Sequence, residues 1–453
     1  MKSFKLSEIA KATNGCYNKE VQITSVVIDT RKVKKGSLFI CIIGQRFDAH
    51  QFIDEAFKRG ATAVMVSKDI ELDRPFVKVC DTGVAMLALA GYYRSLFNIP
   101  VVALTGSVGK TTTKEFINLV LSSQFNTVKT QGNLNNEIGL PQTIFNFDEK
   151  TEAAVIEMGM NHFGEIHRLS LATKPTLAVI TNVGVSHIEN LGSRDGILKA
   201  KLEILDGLQK GAPLLLNADN DKLSTVKSDD YKIYRFAFEN NADFKAVNVK
   251  ETNVSTTFTV QYFGKEQEIT IPTIGIHNIY NALSAFAVGV LLNIDAEKSA
   301  LALSKYEPEG MRQKVVNAND VTVIEDCYNA SPDSMRAAIA TLSSMKANKK
   351  IAVLSDMLEL GNYSQRAHFG VGKAFEGTGI DAVFCVGNDA RYIIDGAKEA
   401  GVKNTALAKD KAELADIIFN FTNKGDAILF KASRGMKLED VITSLYKRWG
   451  FYE

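Results

Sequence analysis

Val101-Val-Ala-Leu-Thr-Gly-Ser-Val-Gly-Lys-Thr-Thr-Thr-Lys-Glu115 is the stretch from which the rest of the chain is read. An apolar run ends at Thr105 in a glycine turn, and an amphipathic segment opens at Lys110 and Thr111. That order spells strand, phosphate loop, helix. Gly106 and Gly109 let the backbone approach an anion closely, and the free N–H groups of a helix start point at it. Lys110 reaches the terminal phosphates of a nucleoside triphosphate, and the Thr111 hydroxyl is placed for Mg²⁺. Ser107, Val108 and Thr112 complete the cradle. The spacing departs from the common G-x-x-x-x-G-K-[ST] form, because Leu104 stands where the first glycine would. A chance Gly-Lys-Thr in an ordinary strand-to-helix turn is the competing reading, so the weight falls on what lies downstream.

The chain has 453 residues, a net charge of +1 and no basic block. That length accommodates about three domains, each with its own core. The charge balance argues against nucleic acid or an anionic membrane surface as partner. The N-terminus lacks the apolar core of a signal peptide, and no run reaches the ~18 apolar residues that span a bilayer. A cytoplasmic protein is expected. The 5 cysteines are scattered without a Cys-x-x-Cys pair and are read as reduced core thiols rather than a zinc site or disulfides.

Three segments differ in pattern. Residues 1–97 alternate short β-rich runs (25–28, 37–43, 63–67) with helical ones (51–59, 84–96). Residues 98–307 carry apolar strands at 101–105, 153–157 and 177–182 with helix-period stretches between, which predicts right-handed crossovers in a largely parallel sheet. Between 234 and 274 the alternation predicts an antiparallel hairpin around Phe263-Gly-Lys265, followed by a helix over 278–292. Residues 308–453 repeat the α/β alternation, with strands at 321–326, 351–355, 382–386 and 427–430. The fold class is α/β.

Open α/β sheets place ligands at the carboxyl ends of their strands. Glu157 ends one such strand and is a candidate Mg²⁺ ligand; a solvated strand-end acid is the plainer alternative. The next strand runs through Asn182-Val-Gly-Val-Ser-His187, making His187 a candidate for a second metal or a phosphate oxygen. Lys199, Lys201 and Glu203 follow with helical periodicity, for which an exposed charged face is the default explanation. Gly275-Ile-His-Asn278 and Asn281 deliver polar side chains at a helix start, where Asn278 also suits an N-cap. His162 and His167 read equally well as core or solvated-loop residues.

Taken in order, these segments resemble the Mur ligase family, ATP-dependent amide-forming enzymes of peptidoglycan precursor synthesis. The resemblance implies three domains: a small α/β N-terminal domain for a uridine nucleotide sugar, a central P-loop ATPase-like parallel sheet, and a Rossmann-like C-terminal domain. It implies that Thr111, Glu157 and His187 hold Mg²⁺, with two ions in all. It further implies that Lys201 is carbamylated and bridges the metals, and that Asn278, Asn281 and Arg312 serve the nucleotide. Asp326-Cys-Tyr-Asn-Ala-Ser-Pro-Asp-Ser-Met335 is similar to the Asp-x-Tyr-Asn-Ala-x-Pro-x-Ser-Met signature of members that add D-alanyl-D-alanine. Ser355-Asp-Met-Leu-Glu-Leu-Gly361 and Lys431-Ala-Ser-Arg-Gly-Met436 point the same way. By that likeness Asp326, Asn329, Asp356 and Lys431 receive the dipeptide. Asp29, Thr30, Arg31, Arg46, Asp48 and His50, with the Asn133, Asn135 and Asn136 loop, receive UDP-N-acetylmuramoyl-tripeptide. The implied reaction passes through an acyl phosphate, in a monomer that closes on its substrates. Thr30, Ala49, Ser355 and Ala432 depart from the family pattern, and the Ala432 methyl would matter if its φ were positive. Two alternatives stand beside this reading. One is a different ligase of the superfamily, either tripeptide-forming or folylpolyglutamate synthase-like; the other is a non-catalytic nucleotide switch.

Overall fold

Strand order in the central sheet places the phosphate loop between two other loop-bearing strands. A computed structural model describes residues 1–44, 47–308 and 310–451. Its central sheet has 9 strands, and Val101–Thr105 lies between Ala153–Glu157 on one side and Leu177–Ile180 on the other, all parallel. Register pairs Glu157 with Leu104 and Ile180 with Thr105. The three strands therefore end together, and Glu157 and Asn182 flank Gly106. Alternate residues leave on opposite faces. Val101 and Ala103 join one apolar cluster while Val102 and Leu104 join another, so both faces are covered and the strands read as continuous apolar runs.

The sheet continues past Pro213–Asn217 and Lys232–Ala237 into antiparallel strands Phe244–Glu251, Thr256–Tyr262 and Lys265–Ile271. The expected turn is present: Phe263 and Gly264 both take positive φ (45° and 77°), which suits the twist of a tight hairpin. Helix Ile276–Leu291 then packs across the phosphate-loop helix Lys110–Ser122, and Gly289 makes the close approach, since a Cβ there would lie 2.6 Å from Val120.

The N-terminal segment builds a 5-stranded sheet, Cys16–Tyr17, Phe76–Lys78, Ala61–Val66, Ser37–Ile40 and Ser25–Val27 in spatial order. Its last helix, Thr82–Ser95, is N-capped by Asp81 and docks onto helices Gly139–Ile144 and Glu165–Thr173 of the central unit rather than hanging from a linker. Tyr93 donates its hydroxyl to the Phe147 carbonyl at 2.7 Å, and buried Arg94 donates to the carbonyls of Thr173, Phe97 and Ile99. A buried guanidinium is tolerated only when its donors are satisfied, as here. One apolar cluster runs unbroken from Phe4 to Leu216, so the first sheet and one face of the central sheet share a core.

The C-terminal sheet has 6 strands in the order Lys314–Ala318, Val321–Asp326, Ala427–Lys431, Lys350–Ser355, Ala382–Val386 and Asn404–Ala408. All but the first hairpin are parallel. Register sets Asp326 directly beside Lys431. Helix Pro332–Ser344 begins with a Ser331–Ser334 capping box and proline in its first turn, a firm start signal just beyond a strand end. The thiols differ from expectation: Cys41, Cys327 and Cys385 are buried, but Cys16 and Cys80 are exposed, and all 5 are free. Ala432 is buried without a positive φ, so its methyl carries no backbone strain.

Candidate active site

A cavity of about 550 Å³ opens where the carboxyl ends of the central and C-terminal sheets face each other. Its central wall includes the whole loop Ser107–Thr112 with Glu157, Asn182 and His187; its opposite wall includes Arg312, Asp326, Asn329 and Lys431. The volume falls in the usual range for small-molecule sites.

The phosphate loop is held by side chains behind it. Asn182 Oδ1 accepts the N–H groups of Ser107 and Val108 at 3.1 and 2.9 Å, while its Nδ2 donates to the Val108 carbonyl at 2.8 Å. Thr181 Oγ1 donates to that carbonyl too. The glycines are dictated by space: a Cβ on Gly106 would sit 1.9 Å from Thr181 Oγ1, and Gly109 combines φ +80° with a Cβ position 2.7 Å from Asn281 Oδ1. Lys110 donates Nζ to the Gly106 carbonyl at 2.9 Å, which keeps the ammonium across the mouth of the loop. Burial pushes its pKa down, Glu157 opposes that, and Arg312 adds to it. Arg312 itself lies 3.6 Å over the Tyr328 ring.

Three groups bear on a metal. Glu157 is buried, with Oε1 accepting from Asn135 Nδ2 at 2.8 Å and Oε2 left without any hydrogen-bond partner. An orphaned carboxylate oxygen beside a phosphate loop fits a cation, because leaving it unmet is costly. Thr111 is buried at the helix start. His187 holds φ +63°, strained for a histidine, and its pKa is pushed down to about 4, chiefly by burial and then by Lys110 and Lys201. It therefore presents a neutral imidazole. Among the described residues no three His, Cys, Asp or Glu side chains gather into a metal nest. The donor set fits Mg²⁺, which takes one or two carboxylates and completes its shell with phosphates and water.

Lys201 overturns the charged-face expectation. Lys199 is exposed, but Lys201 is 2% exposed and makes no hydrogen bond or ion pair among the described residues. Burial, with Lys110 second, drives its pKa well below the ordinary lysine value. A buried unpaired ammonium costs several kcal/mol, of order that of any buried ion, so the neutral amine wins. Glu203, two residues further on, accepts the N–H groups of Gly164 and His167 and so caps the Glu165–Thr173 helix.

Other predicted residues fall into distinct places. Asn278 is not an N-cap, a position Gly275 takes; buried inside the helix, it donates to Thr273, Ile274 and Gln313. Asn281 accepts from Thr113 Oγ1 and donates to Asn278, bridging two helices at the cavity wall. Asp326 and Lys431 form an ion pair of 2.6 Å inside the cavity wall. Asn133 and Asn135 line it, whereas Asn136 caps the Gly139–Ile144 helix through the Gly139 N–H. Asp356 requires correction. Its carboxylate does not line the cavity; it accepts the N–H groups of Asn388, Asp389 and Ala390, and its atoms sit where a Gly387 Cβ would be. Asp29, Thr30, Arg31, Asp48 and His50 stand apart from this cavity, on two short helical turns of the N-terminal segment. Asp29 pairs with Arg31, which pushes its pKa down to about 2; His50 is fixed between Asp48 and the Ser67 N–H; Thr30 reaches Glu55. Arg46 lies outside the described residues. His162 and His167 are both exposed; His162 pairs with Glu165 in the loop, the solvated-loop reading, whereas His167 pairs with Asp206 from the surface of the Glu165–Thr173 helix. Asn182 and Asp333 had no assigned role from sequence, since their partners are distant along the chain.

Comparison with known proteins agrees in extent. Family models match residues 22–92 (Mur ligase family, catalytic domain), 104–289 (Mur ligase middle domain) and 311–434 (Mur ligase, glutamate ligase domain). The UDP-N-acetylmuramoyl-tripeptide–D-alanyl-D-alanine ligase of Bacillus subtilis is 40% identical over 97% of both chains. That of Escherichia coli is 37% identical over 98% of this chain and 99% of its own. Among solved structures, MurF from Acinetobacter baumannii superposes with TM-score 0.92 at 29% identity over 99% of both chains. MurF ligase from Thermotoga maritima in complex with ADP gives TM-score 0.85 at 28% identity, covering 94% of this chain and 98% of that one.

Proposed function

The chain belongs to the Mur ligase family, and from that premise we propose that it joins D-alanyl-D-alanine to UDP-N-acetylmuramoyl-tripeptide with ATP and Mg²⁺. The observation that carries this reading is the cavity that sets a phosphate loop, Glu157 and His187 against the Asp326–Lys431 wall. A nucleotide switch has no use for that second wall, and the full-length likeness to D-alanyl-D-alanine ligases disfavours the other superfamily members.

In the first step the tripeptide carboxylate attacks the γ-phosphorus of ATP, the bond to the ADP oxygen breaks, and an acyl phosphate forms. In the second the dipeptide amine attacks the acyl carbon and phosphate leaves. Little covalent help is needed; position and charge are. Loop N–H groups and Lys110 hold the β- and γ-phosphates once Lys110 leaves the Gly106 carbonyl. Arg312 brings a second cation from the C-terminal side. Thr111, Glu157 and His187 would hold Mg²⁺, which supplies charge neutralisation at the phosphates. Lys201 suits carbamylation, because the uncharged amine is the species that adds to CO₂ and the product places an anion beside the Lys110 ammonium. A second metal follows from that modification.

By this reading residues 1–97 bind the nucleotide sugar, 98–307 bind ATP and 308–453 receive the dipeptide. Asp326, Asn329 and Lys431 are the dipeptide's contacts, with Asn133 and Asn135 on the tripeptide side; Asp29, Thr30, Arg31, Asp48 and His50 shape the uridine nucleotide site. Among the described residues no helix is long and apolar enough to cross a membrane, and we place the enzyme in the cytoplasm as a monomer. Phosphate release from Mg·ATP, measured with each of the other two substrates omitted in turn, tests the assignment. Dependence on both is expected; release indifferent to the dipeptide would refute it.

A further inference from the structure

Asp333 occupies an open position of the Asp-x-Tyr-Asn-Ala-x-Pro-x-Ser-Met pattern, yet it makes a contact across the cavity rim. It belongs to the first turn of helix Pro332–Ser344, whose Ser331 and Ser334 line the cavity. Its Oδ2 accepts the Val185 N–H at 3.0 Å from the central unit, and its Oδ1 accepts from Arg336 at 3.0 Å. The approach is close: a Cβ on Gly184 would lie 2.1 Å from Asp333 Oδ2, so any larger residue there would displace the carboxylate. Gly184 in turn donates its N–H to Ser107 Oγ at 2.9 Å. The connection therefore runs from phosphate loop to Gly184-Val185, two residues before His187, and on to the helix behind the Asp326–Lys431 wall.

We propose that Asp333 is a positioning residue for the ligation, holding the Gly184–His187 loop and the phosphate loop in register with the wall that receives the dipeptide. The assignment rests on the ligase reading above. It differs from the simpler role of an acid in a helix's first turn, which would favour the macrodipole and pair with Arg336. The two roles separate by chemistry. An asparagine keeps an oxygen acceptor for Val185 but loses the charge that the dipole and Arg336 use.

Steady-state kinetics on wild type, Asp333→Ala, Asp333→Asn, Gly184→Ala and the Asp333→Ala/Gly184→Ala pair test the assignment, with urea unfolding of each. Asp333→Ala is expected to raise the KM for D-alanyl-D-alanine about tenfold with the ATP KM unchanged, and Asp333→Asn to recover most of that loss. Gly184→Ala evicts the carboxylate, so it should match Asp333→Ala, and the pair should cost about tenfold rather than the roughly hundredfold product of independent sites. The same non-additivity should appear in the unfolding equilibrium constants. Asparagine as poor as alanine, or costs that multiply, would overturn the proposal. If wild type shows no dipeptide-dependent turnover, the ligase reading fails, and the unfolding data alone then decide whether the contact couples the two units. Should Gly184→Ala fail to fold, the alanine–asparagine comparison at Asp333 still decides.

Discussion

Asn182 folds both ends of its amide onto Val108, accepting the Val108 N–H at 2.9 Å and donating to the Val108 carbonyl at 2.8 Å. The phosphate loop is thus held from the neighbouring strand before any nucleotide arrives. Preorganised donors avoid reorganisation during the reaction. Asn182→Ala is therefore expected to raise the ATP KM about tenfold, while Asn182→Asp, which keeps the acceptor and loses the donor, falls between. Equal KM values for ATP in all three proteins would contradict the bracing role.

Lys201 is buried with no hydrogen bond or ion pair among the described residues, and its removal tests the carbamate. Lys201→Ala should abolish turnover without unfolding the protein, since no ion pair among the described residues is lost. Added short carboxylic acids should restore part of the activity by replacing the missing carboxylate. A ¹³C-labelled CO₂ resonance should appear in wild type and vanish in the variant. Full activity of Lys201→Ala would remove the residue from the mechanism.

His187 makes stability depend on pH in a defined window. Its folded pKa, about 4, lies below the ordinary histidine value of 6.5. Above pH 6.5 neither state binds the proton and the residue contributes nothing. Between 6.5 and 4 the unfolded chain takes up a proton that the folded chain refuses, so stability falls as pH falls. Below 4 both are protonated and the loss levels off. His187→Asn retains a residue that tolerates the left-handed backbone and removes the titration. Urea unfolding of the two proteins should diverge from pH 6.5 to 4 with wild type losing more, and their difference should be constant above pH 7; parallel curves throughout would contradict the buried neutral imidazole.

Lys431 and Asp326 form an almost fully buried pair, with side chains 3% and 13% exposed. Removing one partner leaves a buried charge, which costs about 3–5 kcal/mol. Lys431→Ala should lose stability on that scale by denaturant unfolding, and Asp326→Asn/Lys431→Ala should recover part of it. A loss under about 1 kcal/mol would place the pair in solvent-like surroundings.

The sequence made legible those parts whose signals are local. Val101–Thr105 and Ala153–Glu157 appear at their expected bounds because an apolar run stops at a polar or glycine residue. The Phe263-Gly264 turn announces itself by composition. Edge strands Thr127–Lys129, Lys314–Ala318 and Asn404–Ala408 were not legible, because one face of each meets solvent and short mixed runs look like loop. Asp356 was given to the dipeptide by the likeness of its segment to the family pattern; only the fold shows three backbone N–H groups spending it on the Ala390–Glu399 helix start. Lys201 looked exposed because helical periodicity with neighbouring Lys199 and Glu203 does not say which face is covered. Asp333 and Asn182 act through partners 148 and 74 residues away, respectively, which no local pattern encodes.

The most direct test of the ligase assignment is the mass of the product formed from UDP-N-acetylmuramoyl-tripeptide, Mg·ATP and D-alanyl-D-alanine, with Lys110→Ala as the control. The expected product is a nucleotide sugar heavier by the dipeptide less one water, with ADP and phosphate formed one for one, and none of it from the variant. An unchanged nucleotide-sugar mass while ATP is consumed, or the same product from Lys110→Ala, would contradict it.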